Sequence, residues 1–201
     1  MADALIYDAV QKMAAELSAL RARVDSIEIR ESNVSTLTSS DGTLTAVIVD
    51  ATGSVTKPYQ PAFFAYNSAT DLDVTGDGTV ATVDFDTEVF DVGANFAADT
   101  FTAPVTGKYL LSAQVRIAGL TANNTQGWIY IVVAGTSARS YIGTLANPYT
   151  GGVYTFQCTT VAIMTAGDTA TVTMTVTATD KGVDIVGGST PDTRFCGVRI
   201  V

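Results

Sequence analysis

The stretch Thr169-Ala170-Thr171-Val172-Thr173-Met174-Thr175-Val176-Thr177-Ala178-Thr179 alternates without error between threonine and an apolar residue. A period of two puts Ala170, Val172, Met174, Val176 and Ala178 on one face of a strand and the threonines on the other. Threonine suits that outer face, because its branched Cβ favours the pleat and its hydroxyl keeps the surface wet without charge. A second alternating run places Tyr109, Leu111, Ala113, Val115 and Ile117 inward. Further apolar segments fall at 62–66, 80–90, 128–133, 153–164 and 195–201, separated by turn sequences such as Gly76-Asp77-Gly78 and Ala166-Gly167-Asp168. Many strands with no helical period between them predict an antiparallel sandwich or barrel over residues 58–201. The run 128–133 is apolar on both faces, which predicts burial against a partner as well as in the core.

The other end of the chain has a different period. Apolar residues stand at Ile6, Val10, Met13, Leu17, Leu20, Val24 and Ile27, spaced alternately four and three, which is a heptad seam. Flanking positions pair Glu16 with Arg21 and Arg23 with Glu28, the opposite-sign arrangement of a parallel coiled coil. Mixed Val, Leu, Met and Ile in the seam do not choose sharply between two and three strands. The pattern Arg23-Val24-Asp25-Ser26-Ile27-Glu28 resembles the arginine-to-glutamate motif of trimeric coiled coils, and so favours three. The expected organisation is a coiled-coil stalk and N-terminal anchor over 1–30, a Ser/Thr/Gly-rich connector over 31–57 with a short β-prone run at 44–49, and a β-rich head over 58–201. A rod of four heptads is marginal alone, so the head is expected to trimerise too.

Composition excludes several chemistries. Of 201 residues, 20 are acidic, 11 basic and none histidine, for a net charge of −9. Without imidazole there is no Ser-His-Asp or Cys-His catalysis and no HExxH zinc site. The negative balance disfavours nucleic acid and anionic lipid as partners. Residues 1–17 contain Asp3, Asp8 and Glu16 with no basic stretch before an apolar run, unlike a secretory signal, and no segment approaches the ~20 apolar residues of a membrane span. Synthesis and release from a cytoplasm are expected. Cys158 and Cys196 fit ordinary buried strand positions; their spacing does not demand a disulfide.

The head carries a family resemblance. Pro61-Ala62-Phe63, Phe85 through Phe90, Asn95-Phe96 and Phe101, then Pro104-x-x-Gly107-x-Tyr109-x-Leu111, Ala166-Gly167-Asp168 and Phe195-x-Gly197 occur in an order that resembles the C1q-like jelly roll. Two departures stand out: Leu111 replaces a usual aromatic, and a coiled coil replaces a collagen-like stalk. The resemblance implies a mainly β, antiparallel jelly-roll sandwich of the C1q/TNF type and a compact homotrimer. Thr75-Gly76-Asp77-Gly78-Thr79 followed by Phe85-Asp86-Thr87-Glu88 looks most like the bacterial and bacteriophage branch. That branch implies a non-enzymatic fibre or capsid-decoration protein at a virion surface, docked to other virion proteins through its N-terminus and displaying a knob to host glycan or protein. The rival expectation is a free bacterial carbohydrate-binding module, which would need export.

Between Pro58 and Gly107 eight carboxylates occur with no Lys or Arg. Asp71-x-Asp73-x-Thr75-Gly76-Asp77 partly copies an EF-hand loop, but Thr82 stands where a bidentate Glu is needed. Asp71, Asp73 and Asp77 remain a candidate calcium set, because C1q-like trimers can bind calcium near their apex; the plainer alternative is solvated turn carboxylates. No acidic pair is distinguishable as a glycosidase acid and nucleophile. If eight strands alternate in direction from the stalk, connections near 68–84, 135–152 and 179–192 lie away from it, and those near 91–100, 119–127 and 166–168 face it. The distal set contains Arg139, Tyr141, Asn147, Tyr149, Lys181 and Asp192, a composition suited to sugar or protein recognition.

Overall fold

A computed structural model describes residues 10–19, 35–38, 45–49, 52–57, 59–134, 136–142 and 152–200, and the chain divides into two units, 1–58 and 59–201. In the first unit residues 10–19 are helical, and β1 (Ser35–Thr38), β2 (Thr45–Val49) and β3 (Val55–Thr56) form an antiparallel three-stranded sheet. The β-prone run at 44–49 is thus β2, with a neighbour on each side.

The second unit is a mainly β, antiparallel sandwich. Its strands are β4 (Ala62–Tyr66), β5 (Asp71–Thr75), β6 (Val80–Thr82), β7 (Thr87–Val92), β8 (Phe96–Ala97), β9 (Thr100–Thr102), β10 (Gly107–Ala118), β11 (Gln126–Val133), β12 (Thr136–Ile142), β13 (Tyr154–Met164), β14 (Thr169–Thr177), β15 (Val183–Ile185) and β16 (Arg194–Arg199). One sheet runs β5-β15-β10-β16-β4-β7, with β13 also paired to β10; the other runs β12-β11-β14-β9-β8, with β6 also paired to β14. The alternating strands behave as their period dictates. Tyr109, Leu111, Ala113, Val115 and Ile117 of β10 and Ala170, Val172, Met174 and Val176 of β14 are all buried between the sheets.

Aromatic rings fill the middle. Phe63 stacks against Phe96 and Phe101 at centroid distances of 4.9 and 4.7 Å and receives the edge of Phe195 at 4.9 Å. Gly197 of β16 lies opposite Leu111 on one side and Phe63 on the other. A Cβ there would come within 2.6 Å of the Phe63 ring and 2.7 Å of Leu111. The glycine of the Phe-x-Gly motif is therefore the space the aromatic cluster occupies. Thr75, fully buried, ties the sheets together: its Oγ1 donates to the Thr79 carbonyl at 2.7 Å and accepts the Val176 N–H at 3.0 Å.

Two expectations are corrected. The segment 80–90 is not one strand: Val80–Thr82 pairs with β14, Thr87–Val92 pairs with β4, and the chain changes sheet between them with Val83 and Phe85 buried on either side of exposed Asp84. The connection 119–127 lies at the far end of the sandwich from Pro61, where Leu120 donates its N–H to Gly152 and Thr125 to Thr177. A plain eight-strand count misplaces it because residues 67–106 are spent on five short strands, after which β10 runs in the same direction as β4. The 91–100 and 166–168 connections sit together at the Pro61 end, where the N–H of Ala103 donates to the Asp168 carbonyl and that of Gly167 to the Ala103 carbonyl.

Candidate functional site

The outward face of the seven-stranded sheet is split into an apolar half and a polar half. Register sets the rows. Leu110 lies between Val161 of β13 and Val198 of β16, and Val198 faces Ala62, which faces Val92. In the next row Ser112 lies between Thr159 and Cys196, then come Phe64 and Phe90, whose rings stack at 6.3 Å. Ile163 extends the patch and is 78% exposed, with Val161 at 56% and Phe90 at 50%. A groove of about 380 Å³ lined by Val133, Ala138, Val161, Ala162 and Ile163 continues it around the sheet edge.

Further along the same strands the face is wet. Gln157 donates Nε2–H to Gln114 Oε1 at 2.8 Å, Arg194 donates to the same oxygen at 3.0 Å, and Arg116 is ion-paired with Asp192. Isolated apolar residues on a surface are ordinary, but a contiguous patch rimmed by a satisfied polar network marks an interaction face.

The predicted site residues separate. Val10, Met13 and Leu17 lie on the 10–19 helix, all more than half exposed, while Ile6, Leu20, Arg23, Val24, Ile27 and Glu28 fall outside the described residues. Arg139 and Tyr141 stand in strand β12, opposite Tyr130 and Trp128, rather than in a connecting loop. Asn147 and Tyr149 fall outside the described residues. Lys181 is exposed in the turn after β14, and Asp192 is held by Arg116.

The candidate calcium set Asp71, Asp73 and Asp77 does not converge on one point either. Asp71 accepts from Asn67 at 2.6 Å, Asp73 takes the Asp184 carboxylate on its backbone N–H at 2.8 Å, and Asp77 accepts the Thr79 N–H at 2.9 Å. Among the described residues no three acidic or thiol side chains group as a metal set. Asp84 and Asp99 do lie within hydrogen-bonding reach of each other. Partial burial, then the hydrogen bond and the charge of Asp99, push the Asp84 carboxyl up to about 6, while hydrogen bonds from Ser68 hold Asp86 below its ordinary value. Both cysteines are free thiols, and burial raises each of them.

The second sheet has a groove of its own outer face, about 470 Å³, walled by Trp128, Tyr130 and Val132 of β11, Thr173, Thr175 and Thr177 of β14, and Gly78 and Val80. Apart from the run 128–133, apolar on both faces, the outer rows of the two sheets were legible only as the unused parity of strands whose inner parity was clear. Neither face has a spacing motif to announce it. Among the described residues no helix is long and apolar enough to cross a membrane.

These features define a class by architecture: a mainly β antiparallel sandwich preceded by a separate helical and β-hairpin unit. No protein-family model and no curated protein sequence matches the chain. Similar solved structures include the globular domain of zebrafish complement 1qA protein, at 15% identity and a TM-score of 0.45, covering 71% of this chain and 98% of that one. Murine APRIL at pH 5.0 is similar at 17% identity and a TM-score of 0.47, covering 70% of this chain and 99% of that chain. Its form at pH 8.5 gives 17% and 0.46 with the same coverages.

Proposed function

We propose that the protein is a non-enzymatic homotrimer that displays the β-sandwich head at a virion surface, as a fibre or capsid decoration. The observation that carries this is the apolar half of the seven-stranded sheet, on which Ile163, Val161, Leu110 and Phe90 stand exposed in a single chain. A surface of this kind is stable in water only when covered, and the occupant is a second and third copy of the same chain. The heptad seam supports the same stoichiometry, because Val10, Met13 and Leu17 are exposed on their helix and need partners. The C1q-like motif order and the bacteriophage-type segment at 75–91 support the virion reading. Absence of histidine supports display rather than catalysis by an imidazole-dependent route.

The test is the double variant Val161→Glu, Ile163→Glu. Both side chains point away from the core, so the head is expected to keep its β-sheet circular dichroism while its particle mass in light scattering falls below that of the parent. An unchanged mass would remove this face from the assembly. Immunogold labelling of purified particles from cells producing the virus tests location: label at the particle surface is expected, and label confined to the soluble fraction would contradict it.

A further inference from the structure

We propose that the outer face of the six-stranded sheet binds a neutral glycan in the groove between the aromatic row of β11 and the threonine row of β14. Trp128 and Tyr130 alternate with buried Ile129 and Ile131, so both side chains belong to the outer face, from backbone positions about 7 Å apart. In register, Thr175 lies opposite Trp128 and Thr173 opposite Tyr130, while Val80 flanks Thr175 on the far side. Each aromatic ring is thus paired with a hydroxyl across the strand. The Thr173 and Thr175 hydroxyls make no hydrogen bond among the described residues, whereas that of Thr177 is shared with Thr125 at 3.1 Å. The groove volume lies within the range of small-ligand sites.

The lining chooses the occupant. A sugar ring has an apolar C–H face that packs on indole or phenol and hydroxyls at its rim that pair with threonine, so this wall of rings beside hydroxyls matches it on both counts. No charged side chain is among the described residues that line the groove, and the chain carries −9 overall, which favours an uncharged ligand over an acidic polysaccharide. A β-sandwich exposes its two sheets on opposite sides, so covering the Leu110–Ile163 face leaves this groove open. That point rests on the trimeric display reading, which would place three equivalent grooves on one particle and raise avidity.

The chain has a single tryptophan, Trp128, so its emission reports on this groove alone. The full chain is titrated with neutral hexasaccharides of glucose, galactose, mannose and rhamnose, with light scattering on the same samples. A saturable change of emission with one or more of them is expected. Tyr130→Ala and Thr175→Val should each weaken it roughly tenfold with melting temperature and particle mass unchanged. No emission change with any of the four, or full affinity in both variants, would overturn the proposal. So would an emission change that tracks protein concentration and mass without sugar, because a second copy would then be the occupant. A monomer that still binds sugar would contradict the trimer alone; a trimer that does not would contradict the groove alone.

Discussion

Asp84 and Asp99, fifteen residues apart in sequence, meet carboxyl to carboxyl beside the Phe85 backbone, whose N–H donates to Asp99 Oδ1 at 2.7 Å. Asp99 reaches this position from a left-handed turn, with φ of 47° at Ala98 and 62° at Asp99. Partial burial, and then the hydrogen bond and charge of Asp99, favour the protonated form of Asp84.

The pair has a signed consequence for stability. Asp84 titrates near 6 in the folded chain against 3.8 for an ordinary aspartate, so its protonated form is the one folding prefers. Its contribution is complete below about pH 4 and is lost as pH rises through 6. Asp84→Asn, which keeps a donor toward Asp99, is expected to raise the melting temperature at pH 7.5 and to leave it nearly unchanged at pH 4, as read by calorimetry at the two pH values. Equal shifts at both would show that Asp84 is not held protonated in the folded chain.

Gly197 predicts a packing effect. Gly197→Ala places a methyl against the Phe63 ring and Leu111, in a core where Phe63 is already stacked on two rings. Overpacking of this kind costs about 1–3 kcal/mol. Chemical denaturation should show a loss in that range with the β-sheet signal retained, and a loss below about 0.5 kcal/mol would mean the cluster yields freely.

Thr75 predicts a hydrogen-bonding effect of similar size by another route. Thr75→Val conserves shape but leaves the buried Val176 N–H without its acceptor and the Thr79 carbonyl without its donor. An unmet buried group costs about 1–3 kcal/mol. Denaturation midpoints of the variant against the parent measure it, and the Val176 amide should lose its protection in hydrogen exchange. Retained protection would show that another acceptor takes over.

How far the sequence carried the structure depended on which face of a strand was read. The inner parity of 169–179 and of Tyr109 to Ile117 was visible because the core demands unbroken apolar residues, and both runs are buried as expected. The Phe-x-Gly ending was visible as a motif, and the contact with Phe63 supplies its reason. The outer parity of the seven-stranded sheet was not visible. Leu110, Val161, Val198 and Phe64 fall in four separate strands, and only the register brings them into rows. The switch of sheet at Val83 to Phe85 was hidden for the opposite reason, since buried residues at both positions imitate a continuous strand. Arg139 and Tyr141 were mistaken for loop residues because a polar strand at a sheet edge has no apolar period.

The central claim is that the exposed apolar face and the heptad seam are covered by copies of the chain. Sedimentation equilibrium of the intact protein over a wide range of concentrations tests it most directly. The expected result is a single species of three times the 20.9 kDa chain mass, stable on dilution. A single species at 20.9 kDa, with Ile163 and Phe90 left in water, would contradict it.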